Sequence, residues 1–151
     1  MYELYYLVIP SSERNLPTIV HFEIPTDDSE RAKKFYTDLF GWKIEKWPGT
    51  DDSQLTSAAG QPMEYWIVTT TDDKGNKALG GGMMKRQMPE HQITNFIDVK
   101  SVDEYSSKVE KLGGKVVAPK HAVPGMGYFA LCLIQKTTVS LYGSLIRAPS
   151  E

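Results

Sequence analysis

Between Ile19 and Ile24 the chain alternates: Val20, Phe22 and Ile24 fall on one side, His21 and Glu23 on the other. That is the period of a strand with one face packed and one free. The period then changes. Ala32, Phe35, Tyr36, Leu39 and Phe40 recur at helical spacing, behind the acidic segment Asp27-Asp28-Ser29-Glu30 and ahead of Gly41, which predicts an amphipathic helix from about residue 28 to 40. Trp42 to Lys46 predicts a second strand, and Pro48 to Pro62 a long polar loop. Met63 to Thr70 and Ala78 to Lys85 predict a hairpin around Asp73-Lys74-Gly75-Asn76, whose Gly and Asn accept positive φ.

The same order then recurs. Ile93 to Val99 reads as a strand, Ser101-x-x-Glu104 as a capping box opening a helix, and Gly113-Gly114 as its end. Lys115-Val116-Val117, Met126 to Ile134 and Thr137 to Ile146 supply three more strands. Displaced by 73 residues, the chain lays Asp28 on Ser101, Leu39 on Leu112, Gly41 on Gly114 and Ile44 on Val117 without a gap, an internal duplication. The expected fold is α+β: two tandem βαβββ modules whose sheets join into one cupped, mostly antiparallel eight-stranded surface with the helices outside. The chain divides into an N-terminal extension (1–17), module one (18–86), a polar linker (87–92) and module two (93–146), together one domain. The hollow of the cup is the expected ligand site.

Composition narrows the function classes. Lys+Arg of 17 against Asp+Glu of 19 gives a net charge of -2, and no basic stripe suited to nucleic acid is present. The sole cysteine, Cys132, stands in the apolar run Phe129 to Leu133. It is expected to be a buried, inert thiol, so no intrachain disulfide forms and a cytoplasmic location fits. Met1 to Pro10 has no basic start, long apolar stretch or small-residue cleavage site, and is expected to be neither signal peptide nor membrane anchor. Its aromatic and β-branched content suits an edge strand or a segment laid across the domain or a partner subunit; both a monomer and a homodimer remain open. Gly80-Gly81-Gly82 lies in a strand run with no following helix, so it fails as a phosphate loop and is expected to mark close backbone approach or a bulge.

Val20-His21-Phe22-Glu23-Ile24-Pro25, followed by Asp28-x-x-Arg31-Ala32-x-x-Phe35-Tyr36-x-x-Leu39-Phe40-Gly41-Trp42, resembles the opening of glyoxalase-like proteins. Gly80 to Met84 and Val123-Pro124-Gly125-Met126-Gly127-Tyr128-Phe129-Ala130 resemble two later signatures of the same group. Over about residues 18 to 146 the chain is similar to the vicinal oxygen chelate superfamily, which includes glyoxalases, bleomycin-resistance proteins and extradiol dioxygenases. In metal-dependent members the resemblance implies a divalent ion held by His and Glu side chains, one from the first and one from the last strand of each module.

Only His21 matches that pattern. Its repeat mate is Thr94, and neither Ala78 to Met84 nor Thr137 to Ser144 contains a His, Asp, Glu or Cys. The expectation is therefore a protein without a metal cofactor, binding a small, partly aromatic or amphiphilic molecule as drug-sequestering relatives do. The alternative is a metal-dependent lyase, isomerase or dioxygenase using His21 with unconventional ligands. Candidate ligand-binding residues are His21, Glu23, Tyr65, Trp66, Met84, Thr94, Phe96 and Tyr128, with alternation leaving open which of Tyr65 and Trp66 faces inward. A His21/Glu23 pair could act as base and orienter in proton abstraction, or simply satisfy each other on a polar floor. Glu64 is placed within reach of the cup, whereas His91 and His121 are expected at the solvated surface.

Overall fold

A computed structural model of the chain describes residues 16–48, 63–123, 127–135 and 137–144. The N-terminal extension up to residue 15, the loop from residue 49 to Pro62 and Pro124-Gly125-Met126 of the later signature lie outside the described residues, as does the predicted last strand beyond Ser144. The elements run β1 (Ile19–Thr26), α1 (Ser29–Phe40), β2 (Lys43–Lys46), β3 (Tyr65–Thr69), β4 (Gly81–Lys85), β5 (Thr94–Asp98), α2 (Val102–Lys111), β6 (Lys115–Val123), β7 (Gly127–Ile134) and β8 (Thr137–Ser144). This is βαβββ twice.

Both helices begin where their side-chain caps dictate. The Asp28 carboxylate accepts the Arg31 N–H at 3.0 Å, and the Ser101 hydroxyl accepts the Glu104 N–H at 3.1 Å, so repeat-equivalent positions perform the same capping task. Gly41 closes α1 at φ 69°, its N–H returning to the Thr37 carbonyl, a left-handed turn that glycine adopts without strain.

One eight-stranded sheet carries all the strands in the order β2-β3-β4-β1-β5-β8-β7-β6. The pairs β1·β4 and β5·β8 are parallel and the other five antiparallel. The modules join through β1 and β5, where His21 faces Phe96, Phe22 faces Asn95 and Glu23 faces Thr94. Phe22 and Asn95 are themselves repeat mates. An antiparallel joint between two copies of one strand therefore places them on an approximate two-fold axis.

Both helices cover the same face. Under α1 lie Ile24, Ile44, Trp66, Val68 and Met83, with Phe22, Ala32, Tyr36 and Trp42 against them; under α2 lie Val99, Val102, Ala130, Cys132 and Leu141, with Ile97, Tyr105, Val109 and Val116. Full burial of one such side chain is worth roughly 1.5–3 kcal/mol; α2 contributes buried Val102 to its cluster, whereas α1 packs through the partly buried Ala32 and Tyr36 and leaves Phe35, Leu39 and Phe40 exposed. Cys132 is fully buried. Because side chains alternate along every strand, the register that buries these residues turns His21, Glu23, Tyr65, Met84, Thr94 and Phe96 to the opposite face.

In its strands the structure departs from the sequence reading around β2 and β6. Strand β2 starts at Lys43, which pairs with Thr69 at the end of β3, while Trp42 packs its ring on Tyr36 and Phe22. Strand β6 continues to Val123, well past Val117; it is an edge strand, where Pro119 is tolerated without a ladder hydrogen bond. The self-match equates Val117 with Ile44, but Val116 packs against the module-two core while Val117 is exposed. A register shift between Val116 and Ala118 marks the slip.

Candidate functional site

The face of the sheet opposite the helices carries a line of three polar side chains from two strands. On β1, alternation sends His21 and Glu23 to the same side; on β3, two strands away across β4, Tyr65 reaches back to both. The Tyr65 hydroxyl donates to Glu23 Oε2 at 2.8 Å, and His21 Nε2 lies 2.7 Å from the Tyr65 hydroxyl oxygen. A phenol has one proton to give. With it directed at an ionised Glu23, His21 must donate from Nε2–H, which fixes the neutral ring in that tautomer.

Tyr65 reaches this position because β4 has no side chain at residue 82. A Cβ on Gly82 would lie 1.8 Å from the Tyr65 hydroxyl oxygen and 2.0 Å from its Cζ, far inside contact distance. Gly81 meets the other face, where a Cβ would lie 2.5 Å from the Phe22 ring. The glycine run thus marks close approach on both faces of one strand, as its strand context implied.

Burial governs the electrostatics. Desolvation raises the Glu23 carboxyl from 4.5 to about 7, against the opposing effect of the Tyr65 hydrogen bond. Burial first, then the charge and hydrogen bond of Glu23, push the Tyr65 phenol far above its ordinary value. Burial also lowers His21, favouring the neutral ring. The walls are apolar. Phe96 meets His21 edge-on with centroids 5.2 Å apart, Phe129 lies 6.0 Å beyond Phe96, and His121 abuts Phe129 at 3.7 Å. Met84 and Thr94 are buried beside them.

Of the sequence candidates, His21, Glu23, Tyr65, Met84, Thr94 and Phe96 share this face. Trp66 and Tyr128 do not. Trp66 lies 5% exposed in the core under α1, with Lys33 Nζ over its ring at 4.9 Å. This settles the Tyr65/Trp66 choice in favour of Tyr65. Tyr128 alternates with the core residues Ala130 and Cys132 and stacks under Lys120, which pairs with Asp103 of α2; its neighbour Phe129 takes the wall position. Glu64 turns away and pairs with Lys46 at 2.5 Å. His121 is partly exposed, its ring against Phe129 and its Nδ1 3.0 Å from the Pro119 carbonyl oxygen. His91 lines an open groove on the helix side with Ile24, Tyr36 and Arg86.

Sequence reasoning did not place Phe129 and His121 on this face, or Gly82 as the residue that admits Tyr65. The 127–134 run is almost continuously apolar, so no alternation betrays its faces; Gly82 could have been found only from the glycine run's place beside β1.

These residues do not suit an ion held as the superfamily resemblance implies. Among the described residues no group of three or more His, Cys, Asp or Glu side chains is arranged to hold a metal, and the Tyr65 hydroxyl engages both His21 Nε2 and Glu23 Oε2.

Comparison with known proteins agrees with the architecture. A model of the bleomycin resistance protein-like N-terminal family matches residues 18–50. A Streptomyces coelicolor methylmalonyl-CoA epimerase variant in complex with 2-nitronate-propionyl-CoA superposes with a TM-score of 0.59 at 12% identity, covering 87% of this chain and 98% of that one. The chain has the vicinal oxygen chelate fold. The Mycobacterium tuberculosis methylmalonyl-CoA epimerase gives 0.54 at 12% identity, covering 87% and 88%. A glyoxalase I variant from Zea mays gives 0.58 at 22%, covering 87% of this chain but 45% of that protein. No curated protein matches the chain in sequence. No helix among the described residues is long and apolar enough to cross a membrane.

Proposed function

We propose that this vicinal oxygen chelate protein binds a small organic molecule in the cup, without a metal ion, anchoring its polar group on His21, Tyr65 and Glu23 and its apolar or aromatic body on Phe96, Phe129 and Met84. The observation that carries this reading is the hydrogen-bonded His21, Tyr65 and Glu23 line on the face opposite both helices. A few converging polar groups set in apolar walls are the common make-up of a small-molecule site. The CoA ester bound in the epimerase complexes, and bleomycin, resistance to which gives the matching family its name, define the first compounds to test.

The experiment is an amide chemical-shift titration with methylmalonyl-CoA, bleomycin and the aromatic amphiphile 8-anilinonaphthalene-1-sulfonate. It is paired with elemental analysis of protein purified without added ions. The expected outcome is saturable perturbation centred on His21, Tyr65, Thr94 and Phe96 by at least one compound, with no stoichiometric metal. Thr94→Trp, which fills the hollow from the joint strand, should abolish it. Binding that is unchanged in Thr94→Trp, the absence of binding by all three, or one bound divalent ion per chain lost in His21→Ala, would each refute the reading.

A further inference from the structure

The Tyr65 hydroxyl can carry its hydrogen bonds in either of two directions. With Glu23 ionised, Tyr65 donates to Glu23 Oε2 at 2.8 Å and accepts from His21 Nε2–H at 2.7 Å, leaving the lone pair of His21 Nδ1 unprotonated. A proton arriving at Nδ1 permits the whole line to reverse. The N–H bond at Nε2 breaks as its proton passes to the Tyr65 oxygen, the phenol's own proton passes to Glu23 Oε2, and Glu23 then donates to Tyr65 while Tyr65 donates to Nε2. One N–H forms at Nδ1, one is lost at Nε2, one O–H forms on Glu23, and the phenol ends with the single proton it began with.

We propose that His21, Tyr65 and Glu23 form a proton wire. It accepts a proton from a weakly acidic O–H or activated C–H of the bound molecule at His21 Nδ1 and stores it on Glu23, so the cup performs acid–base chemistry without a metal ion. The inference deepens the ligand-binding reading and rests on it. Geometry carries it: two hydrogen bonds of 2.7 and 2.8 Å share one hydroxyl, and that hydroxyl is held in place because Gly82 leaves room for the ring.

The imidazole is neutral in both arrangements, so a buried ring that resists becoming imidazolium suits the relay. Burial brings the Glu23 carboxyl to about 7, where storage and release are nearly balanced at neutral pH. Among the described residues, the neighbours paired with or touching His21 and Glu23 on this face are Gly82 of β4 and Thr94 and Phe96 of β5, none of which ionises. Farther out on the same face, alternation puts Asp98 two residues past Phe96 on β5 and the paired Lys43 and Glu45 on edge strand β2. Gly82 acts as a positioning residue through Tyr65, and the relay itself belongs to the three linked side chains.

The test is a pH titration of the ligand-free full chain by NMR, following the Glu23 carboxyl carbon and the His21 ring nitrogens. The wire requires one shared transition near neutrality in which the Glu23 carbon moves as His21 changes from the Nε2–H to the Nδ1–H tautomer, with no imidazolium signature. Tyr65→Phe should split it into two independent transitions, with Glu23 moving higher still because a bond that lowers its pKa is gone. Gly82→Ala should do the same while retaining the tyrosine. The proposal falls if wild-type His21 becomes imidazolium while Glu23 titrates in the ordinary carboxylate range. It also falls if the shared transition survives either substitution. Since no ligand is added, this result stands or fails separately from the Thr94→Trp binding experiment.

Discussion

At the residue scale, the cup is shaped by one missing side chain. Any Cβ at residue 82 would collide with the Tyr65 ring, so the contact between β3 and β1 across β4 depends on glycine. The chemistry that results has a pH signature. Glu23 rises from 4.5 to about 7 on folding because its carboxyl is desolvated, so between those values the native state binds the proton that the unfolded chain has released. Its contribution to stability is complete below about pH 4.5 and is lost as pH rises through about 7, at most roughly 3 kcal/mol for a shift of this size. Urea denaturation at about pH 5 and about pH 8 should show wild type losing stability across that interval. Glu23→Gln keeps an acceptor for Tyr65 but cannot ionise, so it should lose markedly less. Equal slopes for the two proteins would refute the shift.

At the element scale, much of the architecture was legible because its determinants are local. The period of Ile19 to Ile24, the helical spacing of Ala32 to Phe40 and the capping residues Asp28 and Ser101 all act within a few residues of chain, and each element stands where they put it. Removing the Ser101 hydroxyl leaves the Glu104 N–H without its side-chain acceptor, and Ser101→Ala should destabilise the protein by about 1 kcal/mol. The midpoint of urea unfolding checks this; a change within error would mean α2 is held by packing alone. Where the elements were misjudged, the cause was tertiary. Val116 and not Val117 packs inward because β6 shifts register against β7, which no property of Lys115-Val116-Val117 announces.

At the scale of the whole molecule, the two modules share a single sheet through β1 and β5, so they should unfold together. All three tryptophans, Trp42, Trp47 and Trp66, belong to module one, whereas Leu141 lies in the module-two core. Leu141→Ala should cost about 2–5 kcal/mol. It should move the tryptophan fluorescence transition together with the far-ultraviolet circular dichroism transition. A fluorescence midpoint that stays put while circular dichroism turns biphasic would mean the modules fold independently.

The sequence by itself determined the duplication, the caps, the strand and helix periods and the placing of His21 and Glu23 together on the face opposite the first helix. Each of these is written in residues close along the chain or in the chain's match to itself. Tertiary structure alone decided that Tyr65 joins them and Trp66 does not, that Phe129 and not Tyr128 shares their face, and that Gly82 makes room for the phenol. These outcomes turn on the register between strands far apart in sequence. A slip of one residue exchanges the two faces of a strand, and apolar runs such as Tyr128 to Leu133 fit either choice until their partners fix it.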